Sequence, residues 1–134
     1  CDAGVGKVVD LMIGGKLDPE HYVSTPMKGK VVFAGETQWG NTAVIRHNGV
    51  HAIVTELAFP AYFHEDFRVV GLSLWKADVV VVKNLFPFRF RYWKYNRKSV
   101  NVITQGVTNV NVAELKYEVV PRPIYPLDQL EDWR

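Results

Sequence analysis

The stretch TAVIRHNGVHAIVT, from Thr42 to Thr55, constrains the fold more than any other part of this chain. Two runs rich in β-branched residues, Thr42 to His47 and Val50 to Thr55, flank Asn48 and Gly49. Asn-Gly favours the type I′ turn, because both residues tolerate positive φ and the turn's twist matches that of the paired strands. A tight antiparallel hairpin over 42–55 is therefore predicted, with His47 opposite Val50 and Arg46 opposite His51. The register also settles a chemical question. His47 and His51 are spaced HxxxH, which on a helix would turn both imidazoles to one face for a metal ion. On a hairpin they project from opposite sides of the sheet and cannot share one.

Apolar periodicity elsewhere reads as strands with a few helices. Val8 to Ile13 is a strand stopped by Gly14 and Gly15, and Lys30 to Ala34 is a second. In PAYFHEDFRVVGL, Phe63, Phe67 and Val70 recur at helical spacing, with Glu65 and Asp66 near the start, where the helix dipole favours anions. A short amphipathic helix is expected there, with His64 on its solvated face. Ala77 to Val82 is a continuous apolar run, the pattern of a strand buried on both sides, and SVNVIT from Ser99 to Thr104 is another strand. The intervening residues suffice for a right-handed crossover. In FPFRFRY the crossover favours a helix, with Pro87 in its first turn and two aromatic stripes, Phe86/Phe90/Trp93 and Phe88/Tyr92/Tyr95, mostly covering the sheet. The expected fold class is α+β: a mixed β-sheet with a hairpin at 42–55, one βαβ-like crossover over 77–104 and few short helices. The prolines at 121, 123 and 126 impose an extended C-terminal course, with Ile124, Tyr125 and Leu127 packed down.

A chain of 134 residues, 48% hydrophobic and 22% charged, can bury the core of one domain, so 1–134 is read as a single domain. The formal net charge of +2 is too small for a molecule-wide polyanion binder. The charge is local, however: Val79 to Ala113 contains no Asp or Glu but carries Lys83, Arg89, Arg91, Lys94, Arg97 and Lys98. Cys1 is the sole cysteine, which excludes an intrachain disulfide and suits a reducing compartment, so a cytoplasmic location is expected. No apolar run approaches the ~18 to 20 residues of a membrane span, so no membrane partner is expected. The chain starts CDAGVGK without an initiator Met, and a piece of something longer is expected. AGVGKVV imitates the end of a phosphate-binding loop but lacks its first glycine and the Ser or Thr after the lysine. No nucleophile elbow, HExxH or cysteine pair occurs, so no catalytic and no metal-ligating residue is assigned.

The candidate binding residues follow from the predicted crossover. Lys83 and Asn84 would stand at the carboxyl end of its first strand, and Phe88 and Arg89 near the start of its helix, where ligands converge in open α/β sheets. Arg89 is the first choice for an anion contact. The plainer alternative has Lys83 capping a sheet edge and Arg89 paired with a carboxylate elsewhere.

GGKLDPEHY, GNTAVIRHNGVHAIVT, DVVVVKNLFPFRFRY and YEVVPRPIYPLD stand in the order and spacing of the C-terminal domain of the microcystinase C (MlrC-like) metallopeptidase family, which the chain resembles over nearly its whole length. The resemblance implies the distal part of that C-terminal domain, in a zinc-dependent hydrolase of short or linearised peptides. An N-terminal domain, absent from these residues, supplies the Asp and His ligands. The zinc would belong to the parent enzyme, and this chain alone would bind none and be inactive. The chain departs from the pattern where the family reads K-S-x-x-H-F-R-A. Lys83, Phe88 and Arg89 match, but Pro87 holds the histidine position and Phe90 that of the small residue. Loss of the imidazole removes a proton donor, and Pro with Phe makes the site drier and more crowded.

Two classes of function remain. In the first, the strand-end loop from Lys83 to Arg89 walls an interdomain cleft and meets a peptide carboxylate, with the metal-binding domain or a second chain as partner. In the alternative, the basic and aromatic segment 86–98 engages a polyanion or single-stranded nucleic acid, a less expected partner because rings packed on a sheet cannot stack on bases. A structural, assembly role through an exposed sheet edge would make the chain a homo-oligomer.

Overall fold

The computed structural model describes residues 4–16, 19, 22–83, 88–102, 117–125 and 127–129. The chain divides into two compact units, Cys1–Ile13 with Pro26–Val100 and Gly14–Thr25 with Asn101–Arg134. In order, its elements are β1 (Val8–Ile13), β2 (Thr25–Thr37), β3 (Gly40–His47), β4 (Val50–Thr55), α1 (Glu65–Val69), a 3-10 turn at Leu74–Lys76 and α2 (Phe88–Arg91).

The four strands form one sheet in chain order, β1-β2-β3-β4, with β2, β3 and β4 antiparallel to their neighbours. The predicted hairpin is present with its register. His47 pairs with Val50 and Arg46 with His51, and Asn48 and Gly49 turn the chain at φ 44° and 83°. The two histidines therefore lie on opposite faces. β2 and β3 are joined by a second tight turn at Gln38-Trp39. There the Trp39 N–H donates to Thr37 Oγ1 at 3.1 Å, and the Thr37 and Thr42 hydroxyls meet at 2.8 Å. This small polar network lets Thr42 sit fully buried beside Val44. A Cβ on Gly29 would stand 2.7 Å from the Arg46 carbonyl oxygen and from Ile45 Cγ2, so the close approach of β2 to β3 requires glycine there. Beyond it β2 bulges between Val31 and Phe33, which lets both Val31 and Ile45 turn inward.

The second core cluster of the larger unit is built from the segments after the sheet. Ala61, Phe67 and Tyr92 are its buried centre, with Ile53, Phe59, Leu72, Leu74, Val82 and Phe88 packed around them. The rings run edge to face in a chain: Trp39 to Phe59 at 4.6 Å, Phe59 to Phe67 at 5.9 Å and Phe67 to Tyr92 at 6.2 Å. Such pairs each add about 0.5–1.5 kcal/mol beyond the area they bury. α1 has the expected amphipathic face, with Phe67 and Val70 buried, although Phe63 is about half exposed. It ends in a Schellman cap. The Gly71 N–H donates to the Arg68 carbonyl at 3.0 Å and the Leu72 N–H to the Phe67 carbonyl at 2.9 Å, with Gly71 at φ 77°.

The α+β class holds in its coarse form, a sheet with few short helices, but the sheet is an antiparallel meander and the crossover over 77–104 is not confirmed. Residues 77–83 form no strand, Val79 is 79% and Val81 89% exposed, and only Val82 of that run joins the core. Val100 and Val102 are likewise exposed, and 103–104 lie outside the described residues. The apolar run extends along the surface because consecutive hairpins already pair the strands, and hydrophobicity alone supplies no ladder for a further one. The helix in 86–98 is a single turn, Phe88–Arg91, followed by further turns. It turns in Phe88 and Tyr92 and half-buries Tyr95, whereas Phe90 is 84% and Trp93 67% exposed. The stripe of Phe88, Tyr92 and Tyr95 packs, whereas Phe90 and Trp93, the described members of the other, do not. Phe86 and Pro87 lie outside the described residues.

In the smaller unit, RPIYPLD folds back on itself instead of running extended. Asp128 takes a two-pronged contact from the Arg122 guanidinium and accepts the Ile124 N–H at 2.7 Å. Hydrogen bonding to Arg122, then to the Ile124 N–H, holds the Asp128 carboxyl below its ordinary range. Tyr125, expected to pack down, is exposed.

The Tyr92 hydroxyl fastens α2 to the segment before α1, lying 2.8 Å from the Ala61 carbonyl oxygen and 3.0 Å from that of Phe63. Burial, then the nearby Asp66 and Glu65 carboxylates, push this phenol well above its ordinary 10.0. The folded state thus holds the proton more tightly than the unfolded chain. The resulting stability is fully present below the unfolded value and is lost as pH rises above it. Tyr92→Phe should cost about 1–3 kcal/mol in urea unfolding, since the buried Ala61 carbonyl and the part-buried Phe63 carbonyl lose the one hydroxyl they share. It should also flatten the loss of stability above pH ~10. An unchanged urea midpoint would show that the hydroxyl carries no stability.

Candidate functional site

Of the residues chosen from the sequence, Lys83, Phe88 and Arg89 lie among the described residues. Lys83 is exposed at the end of the extended segment, and Asn84 lies outside the described residues. Phe88 turns toward the Ala61, Phe67 and Tyr92 cluster, which makes it a packing residue first. Arg89 is exposed on α2 with its guanidinium 5.9 Å from the centre of the Phe88 ring. That ring gives the charge one apolar wall and leaves its donors to solvent.

The geometry instead draws together residues the sequence does not connect. Phe63 is held at both ends, its N–H by Asp66 Oδ2 at 3.0 Å and its carbonyl by Tyr92. Asp66 is buried, and its carboxylate is satisfied by the N–H of Phe63, two residues ahead of α1. Arg91 lies over the Phe63 ring at 3.9 Å, and Lys94 lies 5.5 Å from the Trp93 ring. His64, expected on a solvated face, is partly buried: Nε2 is 3.0 Å from Glu65 Oε1 and its ring is 5.0 Å from that of Tyr95. Tyr95 in turn contacts Trp75 at 4.6 Å with a 54° tilt. Beside this row lies a shallow, solvent-open depression of about 470 Å³ lined by Arg68, Gly71, Leu72, Ser73, Trp75 and Tyr95. No periodicity links positions 68, 75 and 95. The only signal along the chain is Gly71, whose left-handed turn folds Trp75 back toward α1.

Among the described residues no three His, Cys, Asp or Glu side chains are placed to hold a metal ion. Among the described residues, His47 and His51 face opposite ways and His64 meets a single adjacent glutamate, so these three histidines form no shared zinc donor set. No helix among the described residues is long and apolar enough to cross a membrane.

The described residues thus form an antiparallel meander carrying short helices and an exposed basic and aromatic face. The family model described as MlrC C-terminus matches residues 1–119, and the chain belongs to that family. No curated protein matches it.

Proposed function

We propose that this chain is the non-metal-binding C-terminal portion of a zinc metallopeptidase-like hydrolase of short or linearised peptides, and that it lines the cleft facing a metal-binding N-terminal domain. The observation that carries this reading is the family match over residues 1–119. Zinc supplies the water activation in such hydrolases, and in this reading the metal-binding domain holds the ion. The contribution of this chain is then binding and orientation. The segment with Lys83, Asn84, Phe88 and Arg89 borders the cleft. Arg89, braced on one side by Phe88, offers paired N–H donors to a peptide carboxylate. Pro87 at the family's histidine position leaves that point without a proton donor, so any proton needed there comes from the metal-binding domain or from water.

In the assembled two-domain protein, Arg89→Ala should raise KM for a peptide with a free C-terminal carboxylate about tenfold, with kcat changed less than about twofold. An equal effect on the amidated peptide would remove Arg89 from carboxylate recognition. Exposed Val79, Val81, Val100 and Val102 further support association with the metal-binding domain or a second copy. Small-angle scattering should give a mass above that of one chain at high concentration, and a strict monomer would overturn association between copies.

A second reading rests on Phe90 and Trp93, whose rings stand in water beside Arg91 and Lys94 and not on the sheet. Exposed rings interleaved with cations suit a single-stranded nucleic acid or another polyanion. A salt-sensitive gel shift at micromolar protein, abolished by Arg91→Glu with Lys94→Glu, is the result expected of that reading. No shift at low salt would eliminate it.

A further inference from the structure

We infer that the depression between α1, the 3-10 turn and the chain after α2 binds a carboxylate that carries an aromatic ring, the chemistry shared by the C-terminal aromatic residue of a peptide and a free aromatic acid. The inference goes beyond the cleft reading and uses none of its residues.

Trp75 and Tyr95 form an open angle of 54° with ring centres 4.6 Å apart, and Trp75 is 68% exposed, so an apolar face as large as an indole is left in water at the rim. Tyr95 is backed by the His64 ring at 5.0 Å, and His64 is tied to Glu65 at 3.0 Å, so this wall is supported from behind. Arg68 supplies the charge. It lies on α1, is exposed, and has no acid partner among the described residues, while Glu65 one turn earlier is engaged by His64. No Asp or Glu lines the depression, so the local field favours an anion and opposes an amine, despite the attraction of aromatic faces for cations. Gly71 keeps the floor open, since no atom lies within 4 Å of where its Cβ would stand, and Ser73 adds a hydroxyl. The depression, about 470 Å³ and open to solvent, has room for one aromatic ring. A ring against Trp75 and Tyr95 with its carboxylate on Arg68 uses every kind of group the depression presents.

The test is a titration of the isotope-labelled chain, followed by NMR, with N-acetyl-phenylalanine, its amide, and the tripeptide Ala-Ala-Phe. The acid should shift the Trp75 indole N–H saturably below ~10 mM, and the amide should bind about tenfold more weakly. Arg68→Gln should reduce the acid to the level of the amide, and Trp75→Leu should abolish binding of both. Tighter binding of the tripeptide than of the single residue identifies a peptide terminus, and the reverse order a free acid. Equal shifts by acid and amide on the unaltered chain, or no saturable shift at Trp75, would overturn the site. That comparison needs no variant, so it decides the matter even where a substitution disturbs folding.

Discussion

The hydroxyl of Tyr92 is the point on which the second half of the larger unit hangs. It lies within hydrogen-bonding distance of the carbonyls of Ala61 and Phe63, about thirty residues away in sequence, and its ring closes the edge-to-face series from Trp39 through Phe59 and Phe67. Ala61 is buried at φ 46°, a conformation that a non-glycine residue adopts at some cost, and the tyrosine is one of the contacts that hold it there. With the phenol in place, Phe63 is fixed between Asp66 and Tyr92, and α1 and α2 are brought side by side. Both basic and aromatic faces follow from that juxtaposition. Arg91 settles over Phe63, and Tyr95, one turn beyond Tyr92, reaches His64 and Trp75.

This arrangement is economical in apolar burial and leaves much apolar surface outside. Tyr92 faces the core and Phe88 packs against it, while Phe90, Trp93 and Trp75 stand at the surface along with Val79 and Val81. Scattered apolar side chains are ordinary on a protein surface, but large rings set among cations mark surfaces that meet ligands or partners. The chain belongs to the MlrC C-terminal family. Its described residues hold no metal-ligand cluster.

The legible parts of the chain were those in which adjacent residues settle the geometry by themselves. Asn48-Gly49 specified both a turn and a register, and the register placed His47 and His51 on opposite faces before any tertiary contact was considered. Val8–Ile13 and the burial of Phe67 and Val70 followed from local periodicity in the same way, whereas the burial of Asp66 and the exposure of Phe63 did not. Val79 to Val82 did not, because a run of valines states a preference for extension and burial without naming a partner strand. The aromatic segment failed for a related reason. Helical spacing offered two adjacent stripes of equal hydrophobicity, and only the Ala61 and Phe63 carbonyls, which need a hydroxyl donor, distinguish the stripe with Tyr92 from the one with Phe90 and Trp93.

The sequence alone determined the hairpin, the opposite facing of its histidines, the coarse class of the fold, the local position of positive charge and the resemblance to a family, since each depends on neighbours within a few residues or on motifs read in order. Tertiary structure alone decided which rings are buried, which are wet, and that Arg68, Trp75 and Tyr95 line one depression. Those outcomes depend on long-range packing around a single buried phenol, where the competition is between whole faces, and local propensity is the same for each.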